Sequence, residues 1–221
     1  MIVPVLDEAR ALPRLLDDLE ALVGRFEVIV ADGGSSDGSI DIARARGVRV
    51  TAAGVGRAGQ LNAAAEQARG SVLLFLHADT ELPPSAYARL MTALSNPLCI
   101  GGNFRVRFDG GDRFARFLGV FYAVGRRLGI YYGDSAIFVR ADVFRRLGGF
   151  RPLTIMEDYD FARRLERHGR TACLPDAVVT SSRRWQELGV RRTLFAWIVI
   201  QSLFVLGVRT ERLVRIYPKP R

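Results

Sequence analysis

Over its first eighty residues the chain alternates two hydrophobic patterns. Short, largely apolar runs predict strands at residues 2–6, 27–31, 48–51 and 72–76. Between them, apolar residues recur at helical spacing. Leu12, Leu15, Leu16, Leu19, Leu22 and Val23 form the first such stripe, stopped at Gly24. A second helix is expected from Asp37, as its cap, to Gly47, and a third across residues 59–69, before Gly70. Strands that are apolar on both faces and separated by helices belong to a parallel sheet covered on both sides. The expected fold class is α/β, an open and mostly parallel sheet.

Beyond residue 80 the pattern loosens. Pro83-Pro84 predicts a helix start, residues 99–108 a long strand, 112–128 a helix and 136–139 a short strand. Leu147-Gly148-Gly149-Phe150 reads as a turn, 157–168 as a helix closed by Gly169, and 171–180 as a last strand. From Gly189 onward the chain is helical and apolar, then basic. The division is an α/β domain over 1–188 and a helical, basic tail over 189–221. Cys99 and Cys173 are far apart in apolar surroundings, which predicts two buried reduced thiols.

Open α/β sheets bind ligands at the carboxyl ends of their strands. Acidic residues stand at three of those ends here: Asp7-Glu8, Asp32 and Asp79. Asp32-Gly33-Gly34-Ser35-Ser36-Asp37-Gly38-Ser39 lets backbone approach a nucleotide, with Asp32 accepting from a base or ribose; an ordinary βα turn accounts for the same residues. His77-Ala78-Asp79 offers a carboxylate suited to Mg²⁺ or Mn²⁺ on phosphate oxygens, with His77 as a nitrogen ligand that favours Mn²⁺. A strand end with a helix-capping Asp79 is the plain alternative. Glu157, Asp158 and Asp160 crowd carboxylates at a helix start, where one can act as a general base or where acids simply complement the dipole. Asp134 can orient an acceptor hydroxyl or serve as a turn acid. Arg57, at a helix start, suits a diphosphate or a solvated surface. No G-x-G-x-x-G or G-x-x-x-x-G-K motif occurs.

Charge adds one feature. The 221 residues carry 32 basic and 23 acidic side chains, a formal +9. Residues 183–221, the tail and the segment leading into it, hold nine basic and two acidic ones, so +7 of that total lies in this C-terminal stretch. Such a tail points to an anionic surface, membrane or nucleic acid. Its arginines surround an apolar helix rather than exposed aromatics, which disfavours nucleic acid. The uncharged stretch 193–208 makes a helix of about 24 Å, short of the ~30 Å hydrocarbon core, so it is expected to lie in the interface or to pack on the core or a second subunit. Met1 is followed at once by an apolar strand and two acids, unlike a signal peptide, which predicts a cytoplasmic protein; the tail adds the inner face of the cell membrane as an option.

Ile2-Val3-Pro4-x-x-Asp7-Glu8, the Asp32–Ser39 motif, His77-Ala78-Asp79, Gly148-Gly149-Phe150 and Glu157-Asp158 occur in the order and at the spacing of family 2 glycosyltransferases, and the resemblance runs from residue 2 to about 192. It implies a GT-A fold, a nucleotide-diphosphate sugar donor (usually UDP), a divalent metal, Mg²⁺ or Mn²⁺, and inversion at the anomeric carbon. By position it implies that Pro4, Val5 and Glu8 line the nucleotide pocket, that Asp32 holds the base, that Asp79 holds the metal and that Asp158 is the base, beside Glu157. Arg57, or a C-terminal arginine such as Arg183, would help the metal on Asp79 to neutralise the leaving diphosphate. The sequence departs from the family at Asp7, usually Asn, at His77, in place of the first Asp of D-x-D, and at Ser181, where a polymerising synthase carries Gln. The set is most similar to a bacterial branch of arsenosugar-biosynthesis-type transferases. A lipid-linked or hydrophobic acceptor would suit the tail. Two rivals remain: a nucleotidyltransferase, disfavoured because Leu6-Asp7-Glu8-Ala9 replaces the expected glycine-rich basic loop, and an inactive nucleotide-sugar-binding or membrane-associated module, kept open by His77.

Overall fold

The computed structural model describes residues 1–52, 56–110, 113–182, 186 and 189–216. The expected alternation is present: β1 (Ile2–Val5), α1 (Leu12–Glu20), β2 (Ile29–Asp32), α2 (Ser39–Ala45), β3 (Arg49–Ala52), α3 (Gly56–Gln67) and β4 (Val72–Leu74). β1, β2 and β3 pair in parallel. A parallel bridge from Ile2 to Phe75 joins β1 to the end of β4. Ile2, Val3, Ile29, Val30 and Ala31 are buried to within 1%. Their neighbours along each strand point to opposite faces, so burial of both requires helices above and below.

The second half follows as α4 (Ala86–Ser95), β5 (Cys99–Phe108), α5 (Arg113–Arg127), a short 3₁₀ turn (Gly133–Ser135), β6 (Phe138–Arg140), α6 (Ala141–Arg146), α7 (Glu157–His168) and β7 (Arg170–Thr180). β6 runs antiparallel between β4 and β5, and β7 is parallel to β5. The strand order is therefore 3-2-1-4-6-5-7. The tail folds as α8 (Val190–Val205) and α9 (Thr210–Leu213).

Three sequence expectations need correction. The short strand begins at Phe138 rather than residue 136, because Ala136 adopts a left-handed φ of 51° that ends the 3₁₀ turn and cannot enter a strand. Cys99 is buried as expected but Cys173 is exposed, since β7 lies at the edge of the sheet and Leu174 takes the inward face. The left-handed Gly38, not Asp37, occupies the N-cap of α2.

Candidate active site

The β1–α1 and β2–α2 loops are laced together at the rim. Asp7 N–H donates to Ser35 Oγ at 3.1 Å, and Ser36 N–H donates to Asp7 Oδ1 at 2.8 Å. Glu8 N–H donates to Ser39 Oγ at 2.9 Å, and Ala9 N–H to Asp37 Oδ2 at 2.8 Å. Asp7 sits at φ 56°, a left-handed conformation that Asn and Asp tolerate better than other side chains. Asp32 is buried and accepts from Gly34 N–H at 2.9 Å and Ser35 N–H at 3.0 Å. Burial pushes its carboxyl up, but the bonds from Ser35 and Gly34 outweigh that and hold it below its usual range. The Val5 carbonyl accepts from Gly33 N–H and from Gln60 Nε2.

At the next rim position the chain places a cavity of about 640 Å³. Its polar wall comprises Arg57, His77, Asp79, Asp134, Glu157 and Asp158. Its apolar wall is built by α5 and α8, through Phe117, Phe121, Leu194, Trp197 and Ile198. Residues 77, 79, 134, 157 and 158, distant in sequence, thus converge. Pro4 reaches a small adjoining recess with Arg57, His77, Gly133 and Asp158. Asp32, Val5 and Glu8 lie outside the large cavity's lining, along the rim on the β1–β2 side. Arg183 lies outside the described residues.

Asp158 is held from two directions. Gly133 N–H donates to Oδ2 at 2.7 Å and Tyr159 N–H to Oδ1 at 2.7 Å. Met156, the N-cap of α7, takes a left-handed φ of 67°, a costly conformation that aims the following acids into the cavity. Glu157 is only 4% exposed. Burial raises its carboxyl to about 7; Arg57, whose Nε is 3.5 Å from Oε1, opposes the rise, and Asp158 adds to it. Arg57 also donates through Nη2 to His77 Nε2, which assigns the ring proton of His77 to Nδ1.

The aromatic side of the site was not foreseen. Tyr122 O–H donates to Asp134 Oδ2 at 2.6 Å, and burial together with Asp134 keeps that phenol protonated far above its usual range. Tyr132 stacks on Tyr159, packs tilted against Tyr122, and donates to Gln201 Oε1 of α8 at 3.1 Å. Thr154 N–H donates to Thr210 Oγ1, and Tyr159 packs edge-on against Phe204. The tail therefore braces the loop that carries the acid pair. Nothing in residue spacing signals these pairings, which span 12 to 69 residues.

The site offers a divalent metal few donors. Among the described residues no group of three or more His, Cys, Asp or Glu could hold one. Asp79 still fits a hard cation of the Mg²⁺ type, which binds through one or two carboxylates and takes its remaining ligands from substrate phosphates and water.

The mixed, mostly parallel sheet of this order is the GT-A fold of glycosyltransferases, as its structural neighbours show. The chain belongs to glycosyl transferase family 2, whose model matches residues 1–150. It is 30% identical over 154 residues to undecaprenyl-phosphate 4-deoxy-4-formamido-L-arabinose transferase of Pseudomonas syringae pv. syringae, covering 64% of this chain and 46% of that protein. The chain thus spans about half the length of the curated relatives it matches. Two solved structures share its fold. The mannosyltransferase PcManGT from Pyrobaculum calidifontis, in complex with GDP-Man and Mn²⁺, has a TM-score of 0.69 and 21% identity, covering 100% of this chain and 64% of that one. TarS 1–349 of S. aureus, in complex with UDP-GlcNAc, has a TM-score of 0.70 and 19% identity, covering 82% and 57%. The family match ends before Glu157 and Asp158, so their assignment rests on the geometry above.

Proposed function

We propose that this chain is an inverting glycosyltransferase that moves a sugar from a nucleotide-diphosphate donor, most simply a UDP-sugar, to a hydroxyl of a lipid-linked or otherwise hydrophobic acceptor. The observation that carries the reading is the shared cavity: Asp79, Arg57 and Asp158 all line it, with an apolar wall beside them. The nucleoside end lies along Pro4, Val5, Glu8 and Asp32, and the diphosphate reaches Arg57, with Arg183 a second candidate cation. Asp79 would hold Mg²⁺ or Mn²⁺, which when bound would supply charge neutralisation at the diphosphate. In this arrangement His77 orients Arg57, which stabilises the charge that develops on the leaving oxygen.

Asp158 accepts the acceptor's proton as its oxygen bonds to the anomeric carbon from the face opposite the breaking C–O bond, and the nucleoside diphosphate departs with the electron pair. The Gly133 and Tyr159 N–H groups fix the direction in which that carboxylate points. Asp134, gripped by Tyr122, is placed to position the acceptor or donor sugar.

The relatives' name specifies a phosphate acceptor. The described polar lining here has four carboxyl groups against one arginine, which favours a neutral hydroxyl over a second phosphate. The expected location is the cytoplasmic face of a membrane, where such acceptors reside. The reading is tested by incubating the protein with UDP-, GDP- and dTDP-sugars, with Mn²⁺ or Mg²⁺, and measuring nucleoside diphosphate release. Release from one donor class, suppressed by a chelator, supports it; release from none, with intact folding, removes it in favour of an inactive binding module.

A further inference from the structure

The helices that wall the cavity are apolar on their outer faces as well. On α5 and just past it, Phe117, Val120, Phe121, Val124 and Leu128 are exposed and recur at spacings of three and four, a single stripe. On α8, Phe195, Ile198 and Val205 are exposed, followed by Leu206. These nine are most of the fourteen large apolar side chains exposed among the described residues, so the exposure is concentrated rather than scattered. The two helices meet through a small core of Ala115, Leu118, Leu194 and Trp197. Phe117, Phe121 and Ile198 also line the active-site cavity, so both stripes run to its mouth.

Charge identifies the occupant. Arg113, Arg116 and Arg127 on α5 and Arg191 and Arg192 on α8 are exposed, and neither helix contains an acidic residue. A second copy of this face would bring arginine against arginine, whereas anionic headgroups complement it. Among the described residues no helix is long and apolar enough to cross a membrane. An apolar stripe edged by arginines instead lies in the headgroup layer.

We propose that α5 and α8 together form one docking face for an anionic lipid bilayer, with the mouth of the cavity opening between their apolar stripes into the headgroup region. On the transferase reading, a lipid-tailed acceptor slides into the cavity along Phe117, Phe121 and Ile198 without its tail crossing water. The sugar nucleotide meanwhile enters from the aqueous rim. The docking face itself does not depend on that reading.

The test is flotation with vesicles of phosphatidylglycerol and phosphatidylethanolamine, beside vesicles of phosphatidylcholine alone. Wild-type protein is expected to float with the anionic vesicles at low salt and to be released at high salt. The variant V120D/V124D/F195D, altered only at exposed positions off the cavity lining, is expected to lose about 100-fold in vesicle affinity. R113E/R116E/R191E is expected to weaken anionic binding comparably while leaving the apolar stripe whole. Circular dichroism verifies folding of both, and vesicle-free donor breakdown is followed in parallel. Vesicle binding without any donor breakdown keeps the docking face and removes the transferase reading. Wild-type protein that stays in the aqueous fraction at low salt overturns the proposal, as do folded variants that bind like wild type. So does a wild-type dimer that V120D/V124D/F195D splits without vesicle binding, which assigns the face to a second copy.

Discussion

Gly133 and Asp158, twenty-five residues apart, are joined by a 2.7 Å hydrogen bond from the glycine N–H to Oδ2. With Tyr159 N–H on Oδ1, both oxygens of the proposed base face backbone donors. An asparagine cannot satisfy both, because its NH₂ would meet an N–H. Asp158→Asn is therefore expected to lower stability modestly while still folding, to keep the donor affinity, and to lose about 10²–10⁴ in kcat with a hydroxyl acceptor. Equilibrium binding of the donor and steady-state rates check this. A phosphate acceptor needs no base, so near wild-type turnover with polyprenyl phosphate would reassign the acceptor chemistry.

Gly133 is also where three functional side chains crowd the backbone. A Cβ there would lie 2.7 Å from Arg57 Nη2 and 3.0 Å from both Asp158 Oδ2 and His77 Nε2. Gly133→Ala is expected to displace all three, lowering stability by about 1–3 kcal/mol and kcat more steeply than donor affinity. Gly119→Ala is a control. Its Cβ meets only Val106 O at 3.8 Å, and within a helix it is expected to stabilise by roughly 0.5–1 kcal/mol. Urea titrations of the two variants distinguish these directions.

The same glycine shows where sequence reading stops. Strands β1, β2 and β4 were legible because they are mostly apolar on both faces, which a covered parallel sheet explains; β3, with Arg49 and Thr51, was legible from its place in the alternation. α7 was legible to the residue, with acids in its first turn and Arg167 and His168 in its last. The stretch from Gly133 to Arg146 was read less well. Its 3₁₀ turn, the delayed start of β6 and the whole of α6 go with bringing Gly133 under Asp158, a contact made across the fold and absent from local pattern. Asp79, Asp134 and Asp158 could be marked as candidates by residue type and place. Tyr122, Tyr132 and Gln201, which hold the site from α5 and α8, had no local signal at all.

Glu157 makes stability depend on pH in an unusual direction. Burial raises its carboxyl from 4.5 to about 7, despite Arg57. Folding therefore takes up a proton between about pH 4.5 and 7, and stability falls as pH rises through that window. The loss contributed by this group is of order 3 kcal/mol above pH 7. Glu157→Gln abolishes the titration. Its melting temperature relative to wild type is expected to rise between pH 5 and pH 8, and a constant difference across that range would refute the buried-acid assignment.

Metal dependence is expected to be tied to the donor, since Asp79 alone does not enclose a cation. Titration calorimetry should show weak Mn²⁺ binding to the free protein and tighter binding in the presence of UDP. Asp79→Ala is expected to remove that enhancement. His77→Ala should leave most of it and instead weaken metal-free UDP binding, because Arg57 loses the ring that orients it. The opposite ranking of the two variants would move the metal onto His77.

The lacing of the rim loops couples stability to donor binding. Asp37 accepts from Ala9 N–H of the β1–α1 loop at 2.8 Å and from Ser39, whose Oγ in turn accepts from Glu8 N–H. Those bonds, led by the one from Ser39, hold the Asp37 carboxyl below its usual range. A depressed carboxyl stabilises the fold above its unfolded value of 3.8 and loses that contribution as pH falls through the lower folded one. Asp37→Ala is thus expected to lower the melting temperature at neutral pH, with the deficit fading in strong acid. Because the laced loops carry Glu8 and flank Asp32, loosening them should raise the donor KM more than it lowers kcat. Asp41→Ala, an exposed acid in the first turn of the same helix, should change neither. Equal losses in the two variants would trace the effect to charge at the start of α2 and not to the bridge between the loops.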